Sequence, residues 1–230
     1  MVANDAQRRS IRAQAISIGL AISPFGLAFG ALCAESGVGV WEALGFSSLV
    51  FGGSSQFAAV SVLADEGTVI AAVTAGLLLN LRSLAFGVSM APSLKGSLLW
   101  RAGVSQLMID ESTAIGSSQS THELRRYGYL WGGLSVFVLW NATTLIGVSV
   151  LSEAESLITD LGIDATIPAA FLGLIWNKLE NAKHRAVALI GAITALILIP
   201  ITPAGIPVIA AASAIIWVRP WLVREGDNYE

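Results

Sequence analysis

Uncharged apolar stretches of membrane length alternate with short charged ones along the chain. The first covers residues 13–34 and predicts a spanning helix, since ~20 apolar residues cross the hydrocarbon core of a bilayer. Pro24 predicts a kink in it, and Gly26 and Gly30, at GxxxG spacing, permit close contact with another helix. Glu35 and Glu42 flank a Gly-Val-Gly-Val loop. Residues 43–64 are again uncharged, but their middle reads Phe51-Gly52-Gly53-Ser54-Ser55-Gln56-Phe57. Two glycines followed by three polar side chains are poor continuous helix. Breaks at this depth are tolerated where they line a cavity or lie buried in protein, and they mark the discontinuous helices of transporters. The competing reading is an unbroken helix whose small face packs on a neighbour.

After Asp65 and Glu66 comes the stretch 69–92, apolar except for Arg82 and Asn80. A guanidinium at the centre of a membrane helix costs about 2.5–3.5 kcal/mol on insertion scales, so it marks a functional site or a polar network by default. It is a permanently charged fork suited to a carboxylate. Snorkelling to the interface is the alternative, but twelve uncharged residues separate Arg82 from Lys95. Residues 98–116 mix apolar groups with Gln106, Asp110 and Glu111, a pattern for a re-entrant or interfacial helix, and 117–126 are polar and expected at the surface. Residues 127–151 form the longest well-shaped span, with Asn141 inside, Gly128 and Gly132 at small-residue spacing, and Tyr127, Tyr129 and Trp131 at one end, where interfacial aromatics belong. An acidic loop (Glu153, Glu155, Asp160, Asp164), a short apolar piece at 165–177 and a basic loop (Lys178, Lys183, His184, Arg185) follow. Residues 186–218 are too long for one crossing at ~1.5 Å per residue, and Pro200, Pro203 and Pro207 divide them in two. Trp217 and Trp221 are interfacial anchors.

Composition agrees with this pattern. Of the 230 residues, 54% are hydrophobic and 13% charged, with mean hydropathy +0.71, against about 25% charged in soluble chains. The fold class is therefore all-α: a polytopic helical membrane protein with about seven hydrophobic segments, some discontinuous or re-entrant. The domain reading is a basic tail over 1–12, one transmembrane domain over 13–221 and a polar tail over 222–230. Arg8, Arg9 and Arg12 before an apolar stretch resemble a signal peptide, but 13–34 exceeds an h-region of ~7–15 residues. It is read as a retained span with its basic tail in the cytoplasm. Net charge is −3, so nothing points to nucleic acid. The single cysteine, Cys33, excludes an intrachain disulfide and reads as packing.

Loop charge constrains topology. The basic clusters at the N-terminus, Lys95/Arg101, Arg125/Arg126, Lys178–185 and Arg219/Arg224 belong on the cytoplasmic side. The acidic loops at Glu35/Glu42, Asp65/Glu66 and 153–164 then fall outside. If residues 43–64 crossed once, both their ends would lie on one side. A hairpin turning at Gly52-Gly53-Ser54 removes the conflict.

Enzyme chemistry is nearly absent. There is no His-Glu-x-x-His, and the two histidines, His122 and His184, stand in polar loops and read as solvated. Gly52-Gly53-Ser54-Ser55 lacks the final glycine of a Gly-x-Ser-Gly intramembrane protease site. No nucleotide-binding loop, cofactor motif or metal-ligand spacing is present. What remains is a polar set inside apolar helices: Ser54, Ser55, Gln56, Asn80, Arg82, Asp110, Glu111 and Asn141. Asp110 or Glu111 serves proton coupling if its segment dips into the membrane, because desolvation favours the neutral acid; in the headgroup region the two would simply be solvated.

Four motifs in this order and spacing resemble one family: Phe25-Gly26-Leu27-Ala28-Phe29-Gly30, then Phe51-Gly52-Gly53-Ser54-Ser55-Gln56-Phe57, then Leu79-Asn80-Leu81-Arg82, then Ile109-Asp110-Glu111. Together they look like the AzlC-type large subunit of branched-chain amino acid exporters. The resemblance implies a permease of the bacterial inner membrane that exports leucine, isoleucine, valine and in some members methionine, with a small AzlD-type membrane subunit as partner. One departure is Ser83, where the family commonly has histidine after Asn-x-Arg. The expected substrate-binding residues are Gly52, Gly53, Ser54, Ser55, Gln56, Asn80 and Arg82, with Arg82 facing either the substrate carboxylate or Asp110/Glu111. The expected proton-coupling residues are Asp110 and Glu111. Apolar walls would receive the branched side chain. The rivals are transport of another small amphipathic metabolite, a lipid-modifying membrane enzyme, which would want a nucleophile–base pair the chain does not offer, and a non-transporting scaffold subunit.

Overall fold

The computed structural model describes residues 5–151 and 181–202, together with 176, 179, 206, 207, 210, 211 and 213. The acidic loop at 153–164, most of the piece at 165–177, Lys178, Pro203, Arg219, Arg224, both interfacial tryptophans near the end and the 222–230 tail lie outside these residues. Among the described residues every regular element is a helix: α1 Asp5–Glu35, α2 Val40–Val50, α3 Gly53–Ala64, α4 Val69–Asn80, α5 Arg82–Met90, α6 Leu98–Ser105, α7 Asp110–Ser117, α8 His122–Leu151 and α9 Ala182–Leu198. Three stretches among them are long and apolar enough to cross a membrane: Asp5–Glu35, Val69–Met90 and His122–Val150.

Helices α1 and α8 form the frame, and they run parallel. Arg8 pairs with Glu123 and lies over Tyr127, and Arg12 lies over Trp131. Farther along, Gly19 faces Ser135 and Leu139, Gly26 faces Trp140 and Thr143, and Gly30 faces Thr144, Gly147 and Val148. The Gly26/Gly30 spacing is thus used as expected, for a backbone-to-backbone approach. Residues 5–12, read as a basic tail, are helical and form the largely exposed first turns of α1. Stacking of Arg8 and Arg12 on the α8 aromatics gives their stems a surface to cover. α1 continues as helix through Pro24. The end of the pair that carries Arg8, Arg12, Arg125 and Arg126 is here the basic end.

Against this frame α2 and α3 fold as a hairpin from the far end. Both arms reach Phe29 of α1: its ring lies 6.3 Å from that of Phe46 on α2 and 5.5 Å from that of Phe57 on α3. A straight helix would separate residues 46 and 57 by ~16 Å at 1.5 Å per residue, so the chain turns back between them. The turn is Phe51-Gly52, with Phe51 at φ +25°, a conformation disfavoured for a bulky residue. Phe51 is buried and packs edge-on to Phe137 at 5.0 Å, and this burial holds the strained turn.

α4 packs antiparallel to α3, with Ala72 and Ala75 against Ala58, Ala59 and Val62. It runs on into α5 across Leu81, whose backbone stays helical (φ −54°, ψ −28°). Met90 arrives beside Tyr129 and Leu94, near the basic end.

The second hairpin, α6–α7, enters from that basic end. Arg126 lies 4.5 Å over the Trp100 ring, Tyr129 Oη donates to Val104 O at 2.7 Å, and Leu107 lies against Gly133. The chain then turns at Ile109. On the way back Ser112 and Ile115 pack on Gly132 and Gly128, and Arg125 donates to Ser117 O and Gln119 O. Of the two readings of 98–116, the re-entrant one describes this path. Tyr129 is fully buried. Tyr129→Phe removes a buried donor from the Val104 carbonyl, which keeps the Leu107 N–H at 3.1 Å, and the expected loss is about 0.5–1.5 kcal/mol, read as a lower midpoint of thermal unfolding in detergent.

Candidate functional site

Halfway along the frame the two hairpins meet tip to tip. Ile22 is near the middle of α1 and Val136 near the middle of α8, and both line a cavity of about 330 Å³. The other lining residues are Phe51, Gly53 and Ser54 from the first tip, Ile109, Asp110 and Glu111 from the second, Arg82 from the α4–α5 crossing, and Trp140. The volume falls at the low end for small-molecule sites, ~300–1,000 Å³.

Each tip is built by local sequence. At the first, the Gly52 N–H donates to Gln56 Oε1 at 3.3 Å, and Gly52 O accepts from the Gln56 N–H at 3.0 Å and from Ser55 Oγ at 2.6 Å. The side chains of Ser55 and Gln56 therefore satisfy the break itself. Both residues are fully buried. A Cβ on Gly52 would fall 2.7 Å from Ser55 Oγ and 2.9 Å from Asn80 Oδ1, so only glycine admits the crossing helix this close. At the second tip the Ile109 N–H donates to Ser112 Oγ at 3.1 Å, and the Ser112 hydroxyl lies 2.7 Å from Leu107 O. Asp110 and Glu111 then open α7 in its first turn, where the helix dipole favours negative charge. The N-terminal first turns of α3 and α7 both contribute to the cavity wall.

Arg82 joins the tips. Its Nη1 donates to Asp110 Oδ2 in an ion pair, and its Nη2 donates to Ser54 Oγ at 3.0 Å. The guanidinium fork thus spans two segments each 28 residues away. Roughly a third of each charged side chain stays exposed, 35% for Arg82 and 36% for Asp110, so the pair is open to the cavity. One pole of the cavity is then polar (Gly53, Ser54, Arg82, Asp110, Glu111) and the rest of its wall apolar (Ile22, Phe51, Ile109, Val136, Trp140).

Of the expected site residues, Gly53, Ser54, Arg82, Asp110 and Glu111 come together around the cavity. Gly52, Ser55, Gln56 and Asn80 lie directly behind it and shape the break. Sequence reasoning passed over Ile22, Phe51, Ile109, Val136 and Trp140 as site residues. Phe51 and Ile109 stood inside the quoted motifs, but for Ile22, Val136 and Trp140 the only signal was position in apolar helix, which does not tell a cavity wall from a lipid face or a core. Trp140 also carries a buried indole N–H with no hydrogen-bond partner, and its ring packs on Phe29 and Phe57. Asn141, one residue on, accepts from Ser48 Oγ at 2.8 Å and ties α2 to the frame. His122 is exposed, with Nδ1 3.0 Å from Ser93 Oγ. Among the described residues no three His, Cys, Asp or Glu side chains come together as a metal site.

The sequence model of the AzlC family, described as "AzlC protein", matches residues 17–153. A protein of Archaeoglobus fulgidus, named an uncharacterized membrane protein, is 29% identical over 85% of this chain and 86% of its own length. One from Helicobacter pylori, with the same name, is 24% identical over 79% of this chain and 80% of its own. No solved structure matches the chain.

Proposed function

Because the chain belongs to the AzlC family of membrane proteins, we propose that it is the large subunit of a secondary transporter that exports branched-chain amino acids. The observation that carries this reading is the two-faced cavity at half height, with Arg82 held between the tips of two opposed hairpins. A leucine-like zwitterion has three features to match. Its carboxylate meets the Arg82 fork and the first turn of α3. Its ammonium meets Asp110 and Glu111. Its branched side chain meets Ile22, Phe51, Val136 and Trp140. Half-helices meeting near the membrane midplane are a recurring way for transporters to bind small polar groups with irregular backbone. Gathering of Arg8, Arg9, Arg12, Lys95, Arg125 and Arg126 toward one end supports a cytoplasmic N-terminus in a bacterial inner membrane. A small AzlD-type subunit completes the carrier, and the proton gradient drives it through Asp110, which shares Arg82 with the substrate.

The test is flux of leucine, valine, isoleucine and methionine into proteoliposomes under an imposed proton gradient, with and without the small subunit. Flux that needs the small subunit, with competition among these amino acids, is the expected result. Absence of flux with both subunits folded would refute the reading. Asp110→Asn is expected to retain exchange of internal for external leucine while proton-driven accumulation falls by at least ~10-fold, since an amide cannot carry the proton. Accumulation equal to that of the wild type would remove Asp110 from the coupling role.

A further inference from the structure

On the other arms of the two hairpins a second contact links them, and it contains no charge. Gln106, the residue after α6, donates from Nε2 to Ser48 O at 2.7 Å and to Leu49 O at 3.0 Å. These carbonyls belong to the last turn of α2, which ends at Val50. A helix end leaves its last carbonyls without intrahelical partners. Here that end lies near mid-height of the frame, because Ser48 bonds Asn141 of α8 and Leu107 packs on Gly133. It also lies on the outside of the molecule: Leu49 is 79% exposed and Gln106 is exposed. In hydrocarbon no water is present to satisfy such carbonyls, so the protein must supply the donor. Gln106 supplies it, from a hairpin that enters from the opposite end.

We infer that Gln106 is a positioning residue that caps α2 across the hairpin junction and keeps the two tips in register, so that Ser54 and Asp110 stay within reach of Arg82. The tips are then joined twice, by Arg82 between α3 and α7 and by Gln106 between α2 and the end of α6. The first link opens to the cavity and includes a carboxylate. The second is neutral and faces away, so it holds when substrate competes for Arg82. This inference rests on the transport reading for its functional half only; the cap itself is a property of the fold.

The experiment uses the full chain with its small subunit in proteoliposomes and compares wild type with Gln106→Met, which keeps length and packing but removes both donors. A second readout is independent of substrate: Ser47→Cys in a Cys33→Ala background. Ser47 is fully buried on α2 and its hydroxyl has no hydrogen-bond partner, so the thiol reports loosening of α2 through its reaction with a water-soluble maleimide. Gln106→Met is expected to accelerate labelling ~5-fold or more, because an uncapped helix end at this depth draws in water or shifts. It should also lower kcat for leucine ~10-fold with KM within ~2-fold, the pattern of a residue that does not bind substrate. Unchanged labelling in monodisperse Gln106→Met protein would overturn the cap. Faster labelling with unchanged kcat would overturn the positioning role. If the wild type moves no amino acid, the proposed function fails and labelling alone still decides the cap.

Discussion

Arg82→Ala is expected to abolish leucine transport, with flux reduced at least ~100-fold in protein that still reaches the membrane. The substitution removes the fork that joins Ser54 to Asp110 and leaves a carboxylate at mid-height without its cation. Arg82→Lys should fail nearly as badly, because an ammonium is a point charge and cannot hold both partners in the fork's fixed geometry. A structural role and a substrate role for Arg82 predict different behaviour of the double variant Arg82→Ala/Asp110→Asn. Neutralising both partners removes the stranded charge, so folding and yield should recover. If Arg82 also receives the substrate carboxylate, leucine exchange, which Asp110→Asn alone retains, stays lost in the double variant. Recovery of exchange along with folding would assign Arg82 a purely structural part. The measurements are size-exclusion profile for folding and proteoliposome flux for function, made on the same preparations.

The second large effect falls on the frame. Gly30→Leu is expected to prevent accumulation of folded protein. A Cβ at Gly30 already meets the carbonyl of Thr144, Val148 N at 2.7 Å and Gly147 Cα at 2.9 Å. All three are backbone and cannot rotate away as a side chain would. Gly147 has the reciprocal problem, meeting the Leu27 carbonyl and Gly30 Cα. Overpacking typically costs about 1–3 kcal/mol even where side chains can adjust. Here the whole α1–α8 pair must separate, and both hairpins pack on that pair. Gly30→Ala should show the same defect in milder form, as a lower unfolding midpoint. Gly45→Ala is the control, since no atom lies within 4 Å of a Cβ there. Equal yield and melting of Gly30→Leu and wild type would show that the close parallel approach is not required.

Much of this site could be read along the chain because its parts are local. Gly52-Gly53 breaks a helix wherever it stands, and Ser55 and Gln56 satisfy the break from three and four residues away. Loop charge then demanded that residues 43–64 return to the side they came from, and the Phe29 contacts of Phe46 and Phe57 agree with that path. The residues at 5–12 are largely exposed, as their charge suggests, but their place as the first turns of α1, with Arg8 and Arg12 over Tyr127 and Trp131 more than 110 residues away, was not legible in the sequence.

The sequence by itself determined the solvent and the building blocks: apolar length requires helices in a bilayer, glycine and polar clusters interrupt them, and a guanidinium at mid-span demands a partner. Only the tertiary structure decided which partner. Asp110, Glu111 and Ser54 were all available to Arg82, and the choice follows from two hairpins that enter from opposite ends and stop at the same height on the α1–α8 pair. The same holds for Gln106, whose acceptors 57 and 58 residues back are bare carbonyls. Every residue has a carbonyl, so sequence does not single these two out. Hydrocarbon leaves them no other donor once the fold has brought them to mid-height.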